Sequence, residues 1–341
     1  MPNNKILMIY TGGTIGMHKD LATGTLVPFD FSKLMEHIPE LQLVEKEIDT
    51  LSFEQPIDSS NVRPEHWVQL VKIIEQHYDN YDGFVILHGS DTMAYTASAL
   101  SFMLENLSKP VILTGSQLPI GDLRTDAKEN IITSIQIAGS YEGDHPVVPE
   151  VGIYFEFKLL RGNRTVKVSS EHFNAFDSPN YLPLAQSGVD LKFFKDRILP
   201  VPDGIFNAHK NLEENVIVLK MHPALNKTYL SHIINIPDVK TIILETYGSG
   251  NALTQDWFIN LLQEAIEKKS IHIINITQCQ KGEIIPEKYE TGKKLMSIGV
   301  YNGKDLTTEA ALTKMMYLLG KKLSKKAIKT AFERPIRGEM N

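Results

Sequence analysis

The chain has 341 residues, longer than a single hydrophobic core normally grows, so two domains are expected. Its 42% hydrophobic and 22% charged residues are ordinary for a globular protein and exclude a disordered or fibrous chain. A net charge of −6 without any block of like charges argues against a nucleic-acid partner, and no apolar run has the length of a membrane span. The basic stretch from Lys321 to Lys329 reads as the solvated face of a terminal helix. Cys279 is the only cysteine, which rules out an intramolecular disulfide and predicts a small core residue. The first residues are too short an apolar run for a secretion signal, so a cytoplasmic protein without a membrane partner is expected.

Along the chain, strands and helices alternate from the start. Ile6–Tyr10 is an apolar strand that runs into Thr11-Gly12-Gly13-Thr14-Ile15-Gly16. Asp58-Ser59-Ser60 precedes a helix opened by Arg63-Pro64-Glu65, with Trp67, Leu70, Val71 and Ile74 at helical spacing. Gly83–Leu87 is a second buried strand and ends in His88-Gly89-Ser90-Asp91-Thr92. A helix from Thr92 to Leu104 follows, then a strand Val111–Thr114, a polar loop, and a helix through Ala138 that Asp126 is placed to cap. Pro179, Pro183, Pro200 and Pro202 break the rhythm over residues 178–212, whose second part reads as a linker. Strands then return at Asn215–Lys220, Thr241–Leu244 and His272–Thr277. A last helix, Thr307–Leu319, sets Leu312, Met315, Met316 and Leu319 on one face, with Gly320 as its stop. The expected fold is α/β with two domains: a larger N-terminal one (1–190) on a largely parallel sheet, a linker (191–212), and a smaller C-terminal α/β domain (213–341).

Open α/β sheets bind ligands outside the carboxyl ends of their strands, so two glycine-containing turns that deliver hydroxyls at strand ends read as one site. Neither turn fits a nucleotide-binding glycine pattern. Thr14 stands where the second glycine of G-x-G-x-x-G belongs, and no P-loop lysine follows. His88 occupies a glycine position of the G-x-S-x-G elbow. The turns therefore offer hydroxyl nucleophiles without a neighbouring histidine base. On its own each residue has a plainer reading as well: Thr14 satisfying a turn, Asp91 capping the next helix, Asp58-Ser59-Ser60 capping the Pro64 helix, and the lysine at 167 on the surface.

The two turns together resemble the paired signatures of the bacterial-type L-asparaginases, most closely the cytoplasmic type I branch. The resemblance extends over essentially the whole chain, through Ile57-Asp58-Ser59-Ser60, Thr114-Gly115-Ser116-Gln117, Arg161-Gly162-Asn163-Arg164-Thr165, Tyr247-Gly248-Ser249-Gly250-Asn251 and Thr277-Gln278-Cys279. It implies hydrolysis of L-asparagine to L-aspartate and ammonia, with Thr14 as nucleophile and Ser90, Asp91 and Lys167 as the second catalytic set. It implies Asp58, Ser59 and Ser60 as the clamp for the substrate carboxylate, with Ser90 and Asp91 also touching substrate. It further implies a homodimer or homotetramer in which Asn251 reaches a neighbour's site. No cofactor is implied, and no metal: the eleven histidines show no ligand spacing.

The sequence also departs from the family pattern. Ser90 stands where threonine is usual and loses the methyl that fixes the rotamer. Residues 17–28 correspond to the lid but carry no tyrosine; Thr25 and Leu26 stand in its neighbourhood. Glu245 replaces an arginine that clamps an effector in some type I relatives, and Val166 precedes the lysine, so activation by that route is not expected. Two rival readings keep the same fold: an amino-acid sensor without turnover, and the asparaginase-like subunit of a tRNA-dependent amidotransferase. An extra N-terminal module is expected of the latter, and the first signature here starts at residue 11.

Overall fold

Buried apolar runs four to six residues long can be satisfied only inside a sheet covered on both faces, and this chain has several of them. The computed structural model describes residues 4–19, 26–28 and 38–341. In its N-terminal unit, residues 1–210, the strands of the main sheet are β1 (Lys5–Tyr10), β2 (Glu47–Ser52), β3 (Gly83–Leu87), β4 (Val111–Thr114), β5 (Val151–Phe155), β6 (Lys158–Arg161), β7 (Ala185–Gln186) and β8 (Lys192–Phe193). They form one sheet in the order β2-β1-β3-β4-β5-β6-β7-β8. The first five are parallel, and β6, β7 and β8 continue antiparallel. The fold is thus α/β with a largely parallel main sheet, as expected.

Helices supply the crossovers. α1 (Pro64–His77) buries Trp67, Leu70, Val71 and Ile74, the stripe its spacing predicts. α2 (Met93–Met103) is buried on almost every side, which explains its Ala-, Met- and Leu-rich composition. α3 (Ala127–Ala138) packs on β3 and β4. Asp126 sits at the N-cap of α3 but does not cap it through its side chain. Its carboxylate instead accepts the backbone N–H groups of Gln117 and Leu118, at 3.0–3.1 Å, and so ties down the preceding loop.

The strand order 2-1-3-4-5 places β2 and β3 on opposite sides of β1. The carboxyl ends of β1 and β3 therefore lie at the switch point of the strand order, where such sheets bind ligands. Both signature turns leave the sheet there.

Part of the stretch read as a linker is paired with the N-terminal unit. Lys192–Phe193 joins the sheet edge, and Asn207–Ala208 pairs with Leu104–Glu105. Its prolines break helical rhythm without preventing short edge pairings.

The C-terminal unit, residues 211–341, holds a parallel sheet of β9 (Val216–Lys220), β10 (Thr241–Thr246), β11 (His272–Thr277) and β12 (Tyr301–Asn302) in that order. Helices α4 (Lys227–Ile234), α5 (Asp256–Lys268), α6 (Glu290–Ser297), α7 (Thr308–Gly320) and α8 (Lys325–Phe332) belong to it. Leu230, Ile242, Leu244, Phe258, Leu262 and Ile273 lie in its core. Two expectations fail in this unit. Cys279 is exposed rather than core, because it lies in the loop just past the end of β11. α7 is buried well beyond the expected face: Leu312 and Leu319 are only half-buried, whereas Lys314 is fully buried.

Candidate active site

The site is built by glycines that let loops approach closely. Gly12 and Gly13 have φ of +136° and +89°, a region that favours glycine. A Cβ on Gly12 would lie 2.1 Å from the Ile57 carbonyl oxygen. One on Gly13 would lie 2.5 Å from the Cα and N of Gly89, and one on Gly89 2.5 Å from Ser59 Oγ. The three segments carrying Thr14, Ser59 and Ser90 are therefore in backbone contact. Their pairing continues the sheet: the Thr11 N–H donates to the Leu87 carbonyl, the Ile57 N–H to that of Thr11, and the His88 N–H to that of Thr114.

Thr14 opens a single 3-10 turn, Thr14–Gly16, whose Gly16 N–H closes on the Gly13 carbonyl, and is itself half-buried. Ser90 is also half-buried. Lys167 Nζ donates to Ser90 Oγ at 2.8 Å and to Asp91 Oδ1 at 2.7 Å. Lys167 arrives there because the buried turn Gly162–Arg164 packs against α2 at Ala97, on the helix that begins just after Asp91. The short pairing of Val166–Lys167 with Phe176–Asp177 then holds the lysine. Asp91 is not the helix cap. Thr92 occupies that position, and the Asp91 carboxylate faces the lysine.

Ser59 is buried. Its Oγ accepts the Asp91 N–H at 3.3 Å, and its carbonyl accepts the Thr92 hydroxyl at 2.7 Å. Asp58 does cap, but it caps the turn Ser59–Asn61 rather than α1, by accepting the Ser60 N–H at 3.0 Å. The N-terminus of α1 is closed instead by His66 Nδ1, which accepts the Arg63 N–H. The structure thus brings Thr14, Ser59, Ser90, Asp91 and Lys167 into one cluster, with Asp58 and Ser60 at its border. Asn251 belongs to the C-terminal unit, where its backbone pairs with Tyr247. Thr25 lies outside the described residues, as do the side chains of residues 18–28.

His88 is fully buried behind the second turn, and burial pushes its pKa down to about 4. Its tautomer follows from its neighbours. Trp67 Nε1 can only donate, and does so to Thr96 Oγ1 at 3.0 Å. The Thr96 hydroxyl then donates to His88 Nε2 at 3.0 Å, so the ring proton sits on Nδ1 and is given to the Gly89 carbonyl at 2.7 Å. Helices α1 and α2 are thereby bolted to the residue just before Ser90.

The sequence alone marks no role for Gln117. It follows β4, the strand beside β3, and the Ser90 hydroxyl points at its Oε1 from 3.5 Å. That adjacency of strand ends is the signal that singles it out. Among the described residues no cluster of three or more His, Cys, Asp or Glu is arranged to hold a metal, and no helix is long and apolar enough to cross a membrane.

Hydroxyls and a lysine–carboxylate pair gathered at an α/β switch point suit acyl transfer from an amide, and comparison with known proteins gives the class. Residues 5–199 match the family model for the asparaginase N-terminal domain, and residues 215–332 that for the glutaminase/asparaginase C-terminal domain. The chain belongs to the asparaginase family and is an amidohydrolase. It is 40% identical to L-asparaginase 1 of Escherichia coli K12, over all of this chain and 99% of that protein. The crystal structure of L-asparaginase I from Vibrio cholerae superposes with a TM-score of 0.90 at 37% identity, covering 99% of each chain. The chain is also 38% identical to the 60 kDa lysophospholipase of Mus musculus, of which it spans 63%.

Proposed function

We propose that this protein hydrolyses L-asparagine to L-aspartate and ammonia through an acyl-enzyme on Thr14. The observation that carries the reading is the Ser90–Lys167–Asp91 cluster, seated on a glycine contact with the turn that bears Thr14. Thr14 Oγ attacks the side-chain amide carbon. The carbon–nitrogen bond breaks, and ammonia leaves with the hydroxyl proton. Water then adds to the ester and releases aspartate, restoring the Thr14 hydroxyl. Ser90, Lys167 and Asp91 move the protons. Asp91 gives one oxygen to Lys167, which leaves the other for the substrate α-ammonium. Ser59 Oγ accepts from Asp91, so its own proton remains free for the substrate carboxylate, while Asp58 and Ser60 hold that turn in shape. The type I motifs of the sequence lead us to place it in a cytoplasmic homo-oligomer in which Asn251 completes a neighbouring site.

Ammonia release from L-asparagine and L-glutamine, measured side by side, tests the reading. Turnover of asparagine distinguishes it from a sensor that binds without reacting. Thr14→Ala should lose nearly all turnover while still binding aspartate. Retention of more than about a tenth of wild-type activity, a barrier change of only about 1.4 kcal/mol, removes Thr14 as nucleophile.

A further inference from the structure

We propose that Gln117 is a positioning residue for Ser90: by accepting the resting hydroxyl hydrogen it fixes the rotamer that keeps Ser90 Oγ beside Lys167 Nζ. The inference rests on the amidohydrolase reading of the site.

A serine has no β-methyl and can rotate its hydroxyl among three staggered wells. Lys167 Nζ donates to Ser90 Oγ, so in the resting site the serine hydrogen must point elsewhere. Gln117 Oε1, 3.5 Å away, is the acceptor it meets. The amide cannot be turned round. Its Nε2 donates at 3.0 Å to the carbonyl of His172, which can only accept, and this leaves the oxygen facing Ser90.

The backbone of Gln117 is equally fixed. Its N–H donates to both oxygens of Asp126, a carboxylate that burial pushes above its usual range. Asn130 Nδ2 contacts Asp126 at 3.3 Å and the Gly115 carbonyl at 3.0 Å. A Cβ on Gly115 would lie 2.4 Å from the His88 carbonyl oxygen, so this loop abuts the Ser90 turn directly. Three separate segments thus converge to aim one carbonyl at one hydroxyl. At 3.5 Å the contact is long, so it orients Ser90 and yet releases it easily when the proton moves.

A double-mutant cycle separates positioning from general support of the loop. Gln117→Ala should lower kcat about three- to tenfold, the scale of losing one preferred rotamer, with KM nearly unchanged. In the Ser90→Thr background, where a β-methyl restricts the side chain, the same substitution should cost less than about twofold. Gln117→Glu keeps the size and reach of the side chain and adds a carboxylate beside Asp91 and Lys167. Asp126, through its carboxylate, and His172, through its backbone carbonyl, are the other titratable residues that meet Gln117. The added charge favours the protonated site, so the acidic limb of the kcat–pH profile should move up by about one unit. Equal losses in both serine and threonine backgrounds, no loss on Gln117→Ala, or an unmoved pH profile for Gln117→Glu would each overturn the proposal. A wild-type protein that releases no ammonia from asparagine or glutamine overturns the underlying reading and the proposal with it. An active wild type with additive losses overturns the proposal alone.

Discussion

At the scale of single residues, the site depends on the absence of three β-carbons. Gly13 is the clearest case, because conformation and contact act together there: φ is +89°, and a methyl would sit 2.5 Å from the Gly89 backbone. Neither contacting atom belongs to a flexible side chain that can swing away. Gly13→Ala should therefore destabilise the fold by about 1–3 kcal/mol through backbone strain alone. It should also push the Thr14 turn off the Ser90 turn, where a displacement of about 1 Å costs about a hundredfold in rate. Gly143 provides the control, with φ of +62° but nothing within 4 Å of the methyl that alanine would add. Gly143→Ala should show the strain in its urea midpoint and keep full turnover. Similar turnover losses in both variants would mean that the close approach of the turns is not what the reaction needs. These glycines are legible in the sequence because two of them are adjacent and both turns follow strands. Lys167 and Gln117 are harder to place. Lys167 lies 77 positions from Ser90 and is reached only through the resemblance of the segment around Gly162-Asn163-Arg164-Thr165, and no pattern marks Gln117 as facing Ser90.

Among the elements, β3, α1 and α2 are joined through His88, Thr96 and Trp67, and that connection titrates. An exposed histidine takes its proton near pH 6.5, whereas burial lowers His88 to about 4. Between those values the unfolded chain binds more protons than the folded one, so folding stability falls as pH drops. The contribution is complete above about pH 6.5 and is lost towards pH 4, on the order of 3 kcal/mol for one such group. His272, whose Nδ1 lies 2.6 Å from the Tyr301 hydroxyl in the C-terminal unit, is shifted in the same direction. His88→Gln preserves one donor and one acceptor and cannot titrate. It should lower stability at pH 7 modestly and flatten the loss of urea midpoint between pH 7 and 4.5 relative to wild type. An identical pH slope in the two proteins would show that His88 is not neutral in the fold. The strands and helices of this layer are readable because each is a long apolar or periodic run. Asp126 reads as a helix cap because position and residue type suggest one. A carboxylate at a helix start can equally serve the loop before it, and that choice depends on contacts the local sequence does not carry.

For the whole molecule, what the sequence hides is mostly what distant chain segments cover. α7 reads as a one-faced helix, yet Lys314 is fully enclosed, donating to the carbonyls of Phe332 and Arg334 and paired with Glu339. Only a C-terminal segment folded back over the helix can satisfy a lysine there, and a buried cation left unpaired would be expensive. Glu245 raises a related question about control of the enzyme. Its carboxylate accepts the Thr308 hydroxyl at 2.5 Å, and Glu309 lies close enough for the Glu245 charge to add to the effect of burial in raising the Glu309 carboxyl. Two acids therefore gather where an arginine would be needed to clamp an effector's carboxylate. A ligand shifts a conformational equilibrium only by binding one state better than another, and like charge weakens binding to every state of this surface. Rate should then depend hyperbolically on asparagine, without a lag and with a Hill coefficient of about one. A sigmoidal curve that Glu245→Ala abolishes would show that the surface binds effector through other groups. A sigmoidal curve indifferent to that substitution would place the coupling elsewhere, in contacts between subunits.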